Sequence, residues 1–126
     1  MTPKIAGALL AMMFIAALAT DVCAQTQEQV QENLVDMVNK AKREASSATE
    51  KFTLSNTSGG CADLRAAATD TAASLALARQ VYRLISQNSA ISDETRGQML
   101  QDVQTLSLSL IPQKQSLDTQ LANRCN

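Results

Sequence analysis

The sequence predicts an all-α fold, an antiparallel (up-down-up) bundle of three helices closed by one disulfide. Three observations predict it. Apolar residues recur at alternating steps of three and four along three separate segments, the period of a helix with one buried face. Aromatic residues make up only 2% of the chain, too few for strands, which favour rings and β-branched side chains. Two cysteines, Cys61 and Cys125, fall where short antiparallel connections bring the start of the second helix beside the end of the third.

The bundle is expected to follow an N-terminal signal. Met1 to Lys4 is a short basic start, and Ile5 to Ala19 is an apolar run of about fifteen residues. Val22-Cys23-Ala24 then supplies tolerated residues at a cleavage site, so residues 1–24 read as a secretory signal peptide cut after Ala24. The apolar run is shorter than the roughly 20 residues that span a bilayer, which makes an uncleaved membrane anchor the weaker reading. Thr20-Asp21-Val22 also disagrees with a lipoprotein signal, which wants Leu and small residues before its cysteine. Residues 25–126 are then a single domain, expected outside the cell, or in the periplasm of a bacterium, with no membrane span of its own.

The first helix is expected from Thr26 to about Phe52. Val30, Leu34, Met37, Ala41, Ala45, Ala48 and Phe52 form its stripe, widened by Val35 and Val38. Glu28 and Glu32 near its start and Lys51 near its end complement the helix dipole. Thr53 to Gly60 is rich in turn formers and reads as a loop. Inside that stretch, Asn56-Thr57-Ser58 matches the acceptor pattern for an N-linked glycan, which makes Asn56 a candidate modification site.

Cys61 to Asn88 is the segment around which the others are organised. Leu64, Ala68, Thr71, Leu75, Ala78, Tyr82 and Ile85 form one stripe, and Leu77, Val81 and Leu84 form a second beside it. A helix apolar over so wide an arc needs cover on more than one side. Tyr82 is expected in the core with its hydroxyl at the edge.

Ser92 is placed to cap the third helix, with Asp93 and Glu94 in its first turn and Ile91 positioned to staple back onto it. Met99, Val103, Leu106 and Leu110 make its stripe, with Leu100, Leu108 and Ile111 alongside. Pro112 removes one helical hydrogen bond. Leu117, Leu121 and Cys125 keep the register of Leu110, which favours one kinked helix over a split into a fourth. A bond between Cys61 and Cys125 would close a loop of about 65 residues, worth roughly 3–4 kcal/mol in the chain-entropy model. Intermolecular pairing and free thiols are the competing states.

The same sequence excludes much chemistry. It has no histidine, which removes Ser-His and Cys-His catalysis and, with two mature cysteines, an ordinary structural zinc site. Gly59-Gly60 lacks the surrounding residues of a phosphate loop. Net charge is −1, and no block of like charges offers a footprint for nucleic acid. The acid pairs, Asp93-Glu94 and Glu28 with Glu32, sit at helix starts where the dipole explains them. No catalytic residue, cofactor or metal is expected, and the chain does not read as an enzyme.

Two functional readings remain. The first is a non-enzymatic module for protein–protein interaction or structure, its partner another protein or a second copy. Its candidate surface is Leu77, Val81, Leu84, Leu100, Leu108 and Ile111. The alternative is a carrier whose helices part around a lipid or a small apolar ligand. The polar faces carry few Lys and Arg, and no Trp is present to anchor at a lipid interface.

Overall fold

A computed structural model describes residues 26–125 as three helices: α1, Gln27–Ser58; α2, Cys61–Ser86; and α3, Asp93–Arg124. The signal segment and its cleavage site lie outside the described residues. No strand occurs among the described residues.

Local capping starts α1 and α3 and stops α1. Thr26 caps α1 in a reciprocal box: its hydroxyl accepts from the Gln29 N–H at 3.0 Å, and the Gln29 side chain accepts from the Thr26 N–H at 3.1 Å. Gly59 stops α1 at φ 68°, the left-handed cap where a side chain is strained, and its N–H returns to the Ser55 carbonyl at 2.8 Å. Ser92 caps α3 by accepting from the Thr95 N–H at 3.2 Å. Arg96 ties the α2–α3 connection in place. Its guanidinium donates to the Asn88 carbonyl at 3.1 Å, the Ile91 carbonyl at 3.2 Å and the Asp93 carboxylate at 2.8 Å. Ile91 is buried in one cluster with Met99.

Cross-helix pairs define the topology. Thr49 bonds Gln113 and Asn56 bonds Gln120, so positions rise together along α1 and α3, which run parallel. Lys51 pairs with Asp70, while Leu34 and Val38 cluster with Val81 and Ile85, so α2 runs antiparallel to α1. Thr71 meets Gln113, and Cys61 meets Cys125, which sets α3 antiparallel to α2. The bundle is up-down-up, and α2 packs far more on each neighbour than α1 and α3 pack on each other.

The core falls into three apolar levels. Leu34, Val38, Ala78, Val81, Ile85, Ile91, Met99 and Val103 fill the end nearest the α2–α3 connection. Ala45, Leu75 and Leu110 form the middle. Leu64, Ala67 and Leu117 lie toward the disulfide, with Phe52, Leu121 and Cys125 against them. With so many alanines, each level is held by a few Leu, Ile and Val side chains.

Two expectations change. First, α1 runs on through Thr53–Ser58, so Asn56 lies in the last turns of a helix and the connection is only Gly59-Gly60. The extension is held by Ser55, buried, its hydroxyl donating to the Phe52 carbonyl at 2.8 Å. Second, Tyr82 is 38% exposed while Val81 takes the core position at 1%. The buried line of α2 is Leu64, Ala67, Thr71, Ser74, Ala78, Val81 and Ile85, with Leu75 beside it. As the register of Leu110, Leu117 and Leu121 favoured, α3 continues through Pro112 without starting a fourth helix. Pro112 is exposed, so the Leu108 carbonyl it leaves unpaired is on the solvent side.

Candidate interaction surface

The stapled end is built by the first residue of α2 and the residue after α3. Cys61 and Cys125 form a disulfide with their Cα atoms 5.7 Å apart and a sequence separation of 64. Around it, the Ser58 hydroxyl donates to the Asp63 carboxylate at 2.6 Å, and the Gly60 N–H donates to Ser58 Oγ at 3.3 Å. Asn56, the candidate glycan acceptor, is exposed, and its side-chain oxygen accepts from Gln120 Nε2 at 3.2 Å.

Between the middle apolar level and the one toward the disulfide lies a polar layer contributed by all three helices. Gln113 is 7% exposed; its amide donates to Thr71 Oγ1 at 2.9 Å, and its carbonyl accepts from Thr49 Oγ1 at 3.1 Å. Thr71 is fully buried. Ser74, one turn further along α2, is 1% exposed, and its hydroxyl has no hydrogen-bond partner. Sequence reading passed over Gln113. The signal that finds it is its place in the buried stripe, between Leu110 and Leu117.

The candidate surface does not converge on one patch. Val81 is core and offers no free surface. Leu77 and Leu100 are half-buried against the cluster nearest the α2–α3 connection, and Ile111 against the middle one. Leu84 is 37% and Leu108 62% exposed, on different helices and at different levels. Val35, Leu54 and Tyr82 are the other exposed large apolar side chains among the described residues. Scattered single residues of this kind are ordinary on a protein surface.

Charge is organised more sharply than apolarity. Glu28, Glu32 and Asp36 stand one turn apart on the exposed start of α1, and Arg79 and Arg83 stand one turn apart near the end of α2. None of the five belongs to the ion pairs of the described residues, which are Lys42–Asp102, Lys51–Asp70, Arg96–Asp93 and Lys114–Asp118. Glu28 and Glu32, with Val35, Gln31 and Ser92, also line an open hollow of about 490 Å³ between the starts of α1 and α3. A second hollow of about 500 Å³ runs between α1 and α3, lined by Lys42, Ala45, Ser46, Thr49 and Leu106 among others.

No family model, curated protein or solved structure matches the chain. Among the described residues no group of His, Cys, Asp and Glu is placed to hold a metal ion, and no helix is long and apolar enough to cross a membrane.

Proposed function

We propose that this chain is a small exported helical bundle without enzymatic activity that serves as a protein–protein interaction or structural module. The observation that carries the reading is a braced frame with unanswered charge. A disulfide and a hydrogen-bonded layer crossing all three helices brace the interior, while the Glu28-Glu32-Asp36 and Arg79-Arg83 ladders face outward with no ion-pair partner among the described residues. Charged faces on a rigid scaffold steer and orient a macromolecular partner. Export accords with the signal-like start and with the compartments in which disulfides persist.

Carriage of a lipid or a small apolar ligand requires the helices to part. Opening would expose Gln113 and Thr71 without their partners, and α2 and α3 are tied at one end by Cys61–Cys125, so the same features weigh against that alternative.

Native mass spectrometry of the protein from its natural source tests the proposal. A defined complex, with another protein or with itself, is the expected result. A bare monomer overturns the interaction reading, and a monomer retaining bound lipid replaces it with carriage. The same mass reports cleavage after Ala24 and any glycan on Asn56.

A further inference from the structure

We propose that the chain binds a second copy of itself, the outer face of α2 on one copy receiving the acidic start of α1 from the next. The inference deepens the interaction reading and rests on it.

The two faces are complementary in charge and in spacing. The solvent side of α2 carries Ala66, Thr69, Ala73 and Ala76, all exposed, in helical register, and then Gln80 and Leu84. Short side chains let a second helix approach closely, at the lower end of the roughly 8–10 Å interaxial range. Arg79 and Arg83 flank that line, and no carboxylate of α2 is left to answer them. Asp63 is engaged by Ser58, and Asp70 by Lys51. An occupant that answers them brings acids at one-turn spacing. Glu28, Glu32 and Asp36 supply them, at the same four-residue step as the arginines.

In an antiparallel crossing, four residues advance about 6 Å on each helix, so Arg79 meets Asp36 when Arg83 meets Glu32. In that register Val35, 38% exposed within the acidic ladder, falls opposite Gln80, one turn from Leu84, which is 37% exposed beside the arginines. Each copy carries one face of each kind, so the contact is heterologous and leaves an acidic and a basic face free at the ends of a pair. Such contacts extend into rings or open chains. One helix on one helix buries less than the roughly 1,600 Å² of a standard interface, so association is weak and sensitive to salt.

The test is sedimentation velocity of the oxidised, full mature chain across concentration at low and high salt. Three samples are compared: the native chain, Arg79→Glu/Arg83→Glu, and Glu28→Lys/Glu32→Lys/Asp36→Lys. The native chain is expected to self-associate at low salt and dissociate at high salt. Either reversal alone lowers the association constant at least roughly tenfold, since like charges then face each other. Mixing the two reversed chains restores association, because their faces are complementary again. Helicity by circular dichroism confirms that each variant folds; Arg79→Gln/Arg83→Gln replaces an unfolded one and is expected to weaken association less.

A native chain that stays monomeric at low salt overturns the proposal, as does association that neither reversal weakens or that mixing fails to restore. Arginine-dependent binding to anionic lipid vesicles by a chain that stays monomeric assigns the basic face to a membrane and also overturns it. A chain monomeric alone yet held by another protein in native mass spectrometry sinks self-association and leaves the interaction reading standing.

Discussion

Replacing both cysteines, Cys61→Ser with Cys125→Ser, isolates the contribution of the covalent closure. The disulfide spans 64 residues of sequence, and closing a loop of that size removes about 14–15 cal/mol/K of chain entropy from the unfolded state, or about 4 kcal/mol at 25 °C. A domain of this size has total stability of roughly 5–15 kcal/mol. Removing the bond therefore costs between a quarter and most of it. At roughly 4–8 °C per kcal/mol, the melting temperature should fall by about 15–30 °C. The assay is paired urea and thermal denaturation followed by circular dichroism, with the oxidised native chain as reference. The native baseline should be unchanged, since the packing of Leu64, Ala67 and Leu117 beneath the staple does not depend on the bond. A loss below about 1 kcal/mol with an unchanged urea slope would refute the argument that the staple acts by restricting the unfolded chain.

Four further outcomes are expected. Gln113→Ala strips Thr71 of its buried partner and should cost about 1–3 kcal/mol in urea unfolding, whereas Gln113→Leu combined with Thr71→Val should recover most of that loss, because both sides of the bond are removed together. Leu110→Ala, at a fully buried position in the middle level, should cost about 2–5 kcal/mol, against no more than about 0.5 kcal/mol for Leu108→Ala on the solvent side. Ser74→Ala deletes a buried hydroxyl that has no partner and should raise the melting temperature or leave it unchanged; a clear fall would mean the hydroxyl is bonded. Gly97→Ala places a methyl group where nothing lies within 4 Å inside α3, and should stabilise by about 0.5–1 kcal/mol in the same denaturation assay.

The sequence made the three helices, their antiparallel order and the Cys61–Cys125 pairing legible, because each rests on period, connection length and cysteine position. What it hid is physical. Thr53 to Ser58 looks like a loop by propensity, yet Thr53 and Thr57 turn their hydroxyls onto the carbonyls of Thr49 and Thr53 at 3.0 and 3.1 Å, and buried Ser55 anchors the turn. Packing against the stapled end overrides the local preference of these residues for turns. On α2, hydrophobicity drew the line through Leu75 and Tyr82, whereas the buried register also places Ala67, Ser74 and Val81 inward. Small residues at a close helix approach carry little hydrophobic signal, so a pattern weighted by size misses them. Gln113 was hidden for the related reason that a polar side chain reads as surface until its partners are known. The charge ladders were visible residue by residue, but their lack of partners emerges only from the folded chain.

The position of the disulfide also divides the molecule in a way that its stability does not describe. The covalent ring runs from Cys61 to Cys125 and contains α2 and α3, while α1 hangs outside it on Gly59-Gly60. When the structure loosens, α2 and α3 stay tethered as a hairpin, and α1 is the one helix free to swing away whole. Amide hydrogens of α1 should therefore exchange as a unit at lower energy than those of α3. At high protein concentration, a departed α1 can settle on the hairpin of a neighbouring molecule, exchanging identical helices across the two-glycine hinge.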